Sequence, residues 1–327
     1  MDRLDIACTV AFPDEAARLL VAGAAPHALT LLAARVATNL AAVAPDPAVL
    51  GAEVVFGQPH PDDLLAAPRL RWVHINSAGY ARYDVPAVRE ALAARGAALT
   101  TSSAVYADPC AEHALAMMLA ASRRLPECAE NQLGPRGWPI GPVRARSALL
   151  RGRRVLLLGF GAIGRRLSEL LAPFQVDLAI FRAHPRGDEP GRVVAPHAPD
   201  ALGEAFAWAD HVVSTLPEGE ATRGLVARAL IDRMRPDAWF YSVGRGTTVD
   251  QPALLAALEA RRLGGAYLDV TDPEPLPPDH PLWRAPGCSI TPHSAGGRRE
   301  EPLALVQHFL DNLRRFERGE PLVDRVF

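Results

Sequence analysis

Short apolar runs alternate with longer stretches of helical period almost throughout this chain. That alternation marks βα units built on a mostly parallel sheet. In the N-terminal part it predicts strands near Leu4–Thr9, Glu53–Phe56, Val73–Ile75 and Ala97–Leu99, with helices over Glu15–Ala22 and Pro86–Arg95. Asp108-Pro109 is then expected to open a long apolar helix over Pro109–Arg123, with Asp108 as its cap and Pro109 where a missing N–H does no harm. The Gly/Pro-rich passage Leu133–Val143 reads as loop. Arg154–Leu158 begins a more regular series, continued near Asp177–Phe181, His211–Leu216, Ala238–Val243, Gly265–Val270 and Cys288–Thr291. These six strands suit a doubly wound sheet. A final helix over Glu301–Glu317 follows the last strand, and its position suggests that the chain returns to the first domain.

Composition narrows the chemistry. All 35 basic residues among the 327 are arginine, which excludes Schiff-base and pyridoxal-phosphate enzymes and phosphate sites that use a lysine. A formal charge of −2 gives no electrostatic case for nucleic acid or an anionic membrane. The opening Met1-Asp2-Arg3-Leu4-Asp5 has acids where a secretory leader would be basic, and no apolar run is long enough to span a bilayer. Cys8, Cys110, Cys128 and Cys288 are dispersed without metal-binding spacing, so no metal site is expected and a reducing cytoplasm fits best.

The strand Val155–Leu158 runs directly into Gly159-Phe160-Gly161-Ala162-Ile163-Gly164, a G-x-G-x-x-G with a helix pattern behind it. In that context Gly159 allows the tight turn, Gly161 lets a pyrophosphate approach the backbone, and Gly164 permits close helix–strand packing. The helix N-terminus then offers N–H groups and a positive dipole end to the phosphates. An acid that binds the adenosine ribose in NAD enzymes is usual about 20 residues further on. Here that place reads Phe181-Arg182-Ala183-His184-Pro185-Arg186, with no acid before Asp188. Because a guanidinium can hold a 2′-phosphate bidentately, NADP(H) is favoured as the cofactor, with NAD(H) as the alternative.

The chain resembles the D-isomer-specific 2-hydroxyacid dehydrogenase family. The blocks that carry the likeness are Trp72–Gly79, Ala111-Glu112-His113-Ala114, the glycine turn, Met234-Arg235-Pro236 leading to Ser242–Gly246, Leu268–Pro277, Pro281-Leu282-Trp283 and Thr291–Gly296. The resemblance implies two Rossmann-like or flavodoxin-like α/β domains: a discontinuous substrate domain of residues 1–103 plus 296–327, and a dinucleotide-binding domain of residues 104–295. It implies a catalytic trio of Arg245, Glu274 and His293. A reductase of 2-keto acids needs a cation on the carboxylate, a proton donor for the new alkoxide, and a group that supports the donor's charge; Arg245, His293 and Glu274 suit those tasks in turn. His113, on the apolar face of the linking helix, reads as a packed core histidine.

By the same likeness Ser77, Ala78 and Gly79 help bind the substrate carboxylate, and Ala162 and Ile163 belong to the pyrophosphate turn. Leu216, Pro217 and Thr222 pass the adenine side, while Ser242, Val243, Gly244 and Asp269 approach the nicotinamide. The substrate side chain would be read around Ile75–Tyr80 and near Trp138 and Trp283. The expected reaction is reduction of a small 2-keto acid, glyoxylate or hydroxypyruvate, to the D-2-hydroxy acid by a homodimer. Two other readings stand beside it: a non-catalytic, dinucleotide-sensing binding protein, and a formate or phosphite dehydrogenase-like enzyme.

Overall fold

A computed structural model of the chain describes residues 3–32, 45–198 and 200–327; Met1 and Asp2 of the opening segment fall outside it. Two compact units result, Met1–Tyr106 with Arg298–Phe327, and Ala107–Gly297.

In the first unit β1 (Asp5–Cys8), β2 (Ala28–Leu31), β3 (Val54–Phe56), β4 (Trp72–His74) and β5 (Ala98–Thr100) form a parallel sheet in the order β2-β1-β3-β4-β5. The helix Glu301–Glu317 packs on this sheet: the Phe309 ring stacks on Phe56 with centroids 4.3 Å apart and on Trp72 at 5.2 Å. All three side chains are fully buried, and burying each contributes about 1.5–3 kcal/mol. The end of the chain is therefore part of this unit's core rather than an appendage.

The second unit holds β6 (Arg154–Leu158), β7 (Asp177–Phe181), β8 (Arg192–Val194), β9 (His211–Ser214), β10 (Trp239–Ser242), β11 (Gly265–Leu268) and β12 (Cys288–Ile290). They pair in parallel in the order β12-β11-β10-β9-β6-β7-β8. Strand order reverses between β6 and β9, and the crevice outside the carboxyl ends of such strands is where doubly wound sheets bind ligands. Leu156, Leu158, Phe206, Val212, Phe240 and Leu268 lie in the core under that edge. Among the described residues no helix is long and apolar enough to cross a membrane.

Four local expectations change. β2 and β8 are strands the sequence pattern does not show. Both lie at sheet edges, and their largely exposed or half-exposed residues give no apolar signature. The long helix begins at Ser103, not Pro109, and carries Pro109 inside it. Its start is held by Asp324, whose carboxylate accepts the Ala104 N–H at 2.7 Å, a cap brought from the far end of the chain. Asp108 instead pairs with Arg166 at 2.5 Å. The passage predicted as loop is helical at both ends, Leu125–Leu133 and Ile140–Arg146, leaving only a short turn between them.

Candidate active site

The three candidate catalytic residues follow three neighbouring strands: Arg245 after β10, Glu274 after β11 and His293 after β12. Glu274 Oε1 and His293 Nδ1 form a hydrogen bond, so the imidazole is oriented through Nδ1 and Nε2 is the nitrogen turned to other use. Arg245 donates from Nη1 to its neighbour's carbonyl, Gly244 O, at 2.7 Å. Its loop abuts the loop leading to Glu274: a Cβ on Gly246 would lie 2.1 Å from the Thr271 backbone. Gln251 Nε2 donates to Asp272 O at 2.8 Å and joins the same two segments again.

His293 is not in an ordinary conformation. Its φ is 51°, in the left-handed region, which for a residue with a Cβ costs on the order of 1–3 kcal/mol and persists only where the surroundings impose it. Here the imposing group is Asp269. Its main-chain carbonyl accepts the His293 N–H at 2.9 Å, and its carboxylate accepts the N–H groups of Ser294 at 2.9 Å and Ala295 at 3.1 Å. Asp269 is buried at 3% exposure, so this anchor is shielded from water.

The glycine turn fits a dinucleotide. The helix Ala162–Leu171 begins directly after Gly161 with no side-chain cap, leaving its first N–H groups for a phosphate. Gly159 has φ +94°, and a Cβ on Gly164 would lie 2.5 Å from Gly159 O, so both are demanded by the protein itself. Gly161 differs, since a Cβ there would meet nothing within 4 Å. That open side is where a pyrophosphate needs room to reach the backbone. Further along the edge Gly244 sits against the Leu216 backbone, Thr222 donates to Pro217 O at 2.7 Å, and Val243 is buried. The hydroxyl oxygens of Ser242 and Ser214, paired across β10 and β9, are buried and have no hydrogen-bond partner among the described residues. In the first unit, Ser77-Ala78-Gly79 lies beyond β4, where Ser77 Oγ accepts from Gln58 Nε2 at 2.9 Å and donates to Gly79 O at 2.8 Å.

Arg182 stands after β7 as expected, but its guanidinium is engaged. Gly187, with φ +79°, turns the loop back, and Glu189 then accepts from Arg182 Nη1 at 2.9 Å, Arg186 N at 3.0 Å and Gly187 N at 2.9 Å. The backbone N–H of Arg186 foremost, with help from Gly187 and Arg182, holds the Glu189 carboxyl down to about 2. Asp188 lies between Arg182 and Arg165, 3.5 and 2.5 Å from their nitrogens.

Residues 115–295 match the family model described as D-isomer specific 2-hydroxyacid dehydrogenase, NAD binding domain. The glyoxylate reductase of Korarchaeum cryptofilum is 30% identical over 257 residues, 78% of this chain and 75% of its own length. The chain belongs to this family. A human relative, glyoxylate reductase/hydroxypyruvate reductase, is 33% identical over 232 residues, 70% of this chain and 69% of its own. A solved D-isomer specific 2-hydroxyacid dehydrogenase from Xanthobacter autotrophicus Py2 superposes with a TM-score of 0.81 at 24% identity, covering 100% of this chain and 98% of its own; that likeness bears on the fold alone. The protein is thus an oxidoreductase of the 2-hydroxyacid dehydrogenase family with a nicotinamide-dinucleotide domain. Two features of this dehydrogenase are missing from the sequence expectations: the return of Glu189 onto Arg182, and a hydrogen-bond chain that runs from Asp269 through Thr291 and Tyr267 to His113. Gly187 signals the first; the second is scattered over four distant positions.

Proposed function

We propose that this chain reduces a small 2-keto acid of the glyoxylate or hydroxypyruvate kind to the D-2-hydroxy acid, with Arg245, Glu274 and His293 as its catalytic residues. The supporting observation is the Glu274–His293 pair on a turn that its surroundings hold in a strained conformation. Bound reduced nicotinamide supplies the hydride to the keto carbon. His293 gives the Nε2 proton to the carbonyl oxygen, and Glu274 opposes the positive charge that makes the ring a donor. Arg245 holds the substrate carboxylate through two parallel N–H···O bonds, with the backbone of Ser77, Ala78 and Gly79 as further donors. Residues 1–103 with 296–327 form the substrate domain, and 104–295 the cofactor domain. Gly159, Gly161, Ala162, Ile163 and Gly164 hold the pyrophosphate, Leu216, Pro217 and Thr222 the adenine side, and Ser242, Val243, Gly244 and Asp269 the nicotinamide side.

NADP(H) is the proposed cofactor. Arg182 and the N–H groups of Arg186 and Gly187 already hold one carboxylate, and the same donors suit a 2′-phosphate. The proposed assembly is a cytoplasmic homodimer. Between residues 125 and 149 Leu125, Leu133, Trp138, Ile140 and Leu149 are each more than half exposed, Trp138 at 90%, and so many exposed large apolar side chains in one stretch of chain support a protein interface. Sedimentation of Trp138→Glu tests it: a dimer should become a monomer. The activity is tested by loss of reduced-cofactor absorbance with glyoxylate, hydroxypyruvate, pyruvate and bulkier 2-keto acids, each with both cofactors. Turnover of the small acids is the expected result; no turnover of any 2-keto acid would overturn the reading.

A further inference from the structure

His113, Tyr267, Thr291 and Asp269 form a continuous chain of hydrogen bonds beneath the His293 turn. Tyr267 OH lies 2.6 Å from His113 Nε2 and 2.6 Å from Thr291 Oγ1, and Thr291 Oγ1 donates to Asp269 Oδ1. Proton counting fixes its direction. Thr291 has one hydroxyl proton, and the carboxylate of Asp269, which can only accept, takes it. Tyr267 must then donate to Thr291, because the reverse would leave two oxygens at 2.6 Å with no proton between them. The phenol oxygen in turn accepts from His113, whose ring must carry its proton on Nε2. Burial pushes the Tyr267 phenol up, away from ionisation, so its proton stays available to the chain. The His113 ring also stacks on Tyr267 with centroids 5.5 Å apart, which fixes the donor's place.

We propose that His113 and Tyr267 are positioning residues: the donor chain that they begin sets the orientation of the Asp269 carboxylate, and that carboxylate holds the His293 turn in its left-handed conformation. The proposal rests on the reading of His293 as proton donor. Asp269 Oδ1 receives three donors, Thr291 Oγ1, Ser294 N and Ala295 N. Without the Tyr267 donor the Thr291 hydroxyl is free to turn away from Asp269, the carboxylate can then rotate, and the Ser294 and Ala295 N–H groups no longer share Oδ1 as their acceptor. The turn then relaxes toward an ordinary φ and displaces the imidazole from the substrate. A shift of about 1 Å in such a group costs as much as a hundredfold in rate.

Kinetics of Tyr267→Phe, His113→Leu and His113→Gln test this, with His293→Gln as reference. Tyr267→Phe and His113→Leu should lower kcat by at least about tenfold, while the Kd for reduced cofactor, read by fluorescence, changes by less than about threefold. His113→Gln, whose amide nitrogen keeps a donor near the place of Nε2, should recover most of kcat. In the parent protein, the ring nitrogen shifts of His113 by NMR should report the Nε2–H tautomer. Unchanged kcat in Tyr267→Phe and His113→Leu, no recovery in His113→Gln, a parallel loss of cofactor binding, or the Nδ1–H tautomer would each overturn the proposal. Normal turnover in His293→Gln would instead overturn the functional reading on which it rests.

Discussion

Two loops on the carboxyl edge of one sheet hold charged groups by opposite means. The His293 turn after β12 is held from elsewhere: Asp269, just past the neighbouring strand β11, accepts its N–H groups, and Glu274, further along that same segment, orients its ring. The Arg182 loop after β7 holds itself, because the carboxylate of Glu189 comes from the same loop and accepts two of that loop's own N–H groups. A group positioned by remote atoms keeps its place whatever binds, as a proton donor requires. A cation paired with a nearby carboxylate can exchange that partner for another anion of similar shape, as a selective ligand site requires. Disturbing the first loop should therefore reduce rate, and disturbing the second should change preference.

The largest effect is expected from His293→Gln, which keeps a polar side chain but loses the proposed proton donor. Keto-acid turnover should fall by roughly 10²–10⁴-fold with cofactor binding intact by fluorescence titration; simultaneous loss of binding would mean that the turn supports the cofactor site as well. Next comes Arg245→Lys, which trades a bidentate fork for a single ammonium. The lost charge-assisted bond is worth about 1.5–3 kcal/mol, so kcat/KM should drop roughly ten- to hundredfold, and a smaller loss would remove Arg245 from the carboxylate site.

The same contrast separates what the sequence shows from what it hides. The strands of the second unit other than β8, and the glycine turn, are legible because apolar runs and glycine spacing are local signals with a direct physical cause. Arg245, Glu274 and His293 stand out as candidates because each lies inside a compact block such as Gly244-Arg245-Gly246 or Pro292-His293. The Asp269 chain is hidden, since Tyr267 scans as an ordinary strand residue and its partners are brought to it only by the parallel pairing of β11 with β12 and by the long helix. His113 reads as a core residue for the same reason, yet it is only half-buried and hydrogen-bonded. The helix start at Ser103 is hidden too, because its cap, Asp324, comes from the other end of the chain. Glu189 was open to inference from Gly187, a reversal signal that returns an acid to Arg182.

A smaller effect is expected in the Arg182 loop, where Glu189→Gln removes the competing charge and leaves the cation. Affinity for 2′,5′-ADP should rise by about tenfold relative to the parent, with 5′-AMP nearly unchanged. A fall in NADH affinity without a gain for 2′,5′-ADP would show that Glu189 serves the ribose hydroxyl and that the enzyme prefers NAD(H).

The smallest effect is an absence of pH dependence. Glu189 is held down to about 2, chiefly by the Arg186 N–H. A carboxylate depressed in this way stabilises its loop at any pH above its ordinary value and loses that contribution only as the pH falls toward about 2. The ratio of 2′,5′-ADP affinities between Glu189→Gln and the parent should therefore stay constant from about pH 9 down to about pH 5. The second ionisation of the phosphate, near pH 6, acts on both proteins alike and cancels in the ratio. A ratio shrinking toward one between about pH 7 and 5 would mean that Glu189 takes up a proton there. The loop would then not be self-held, and its contrast with the His293 turn would fail at the point where the two differ most.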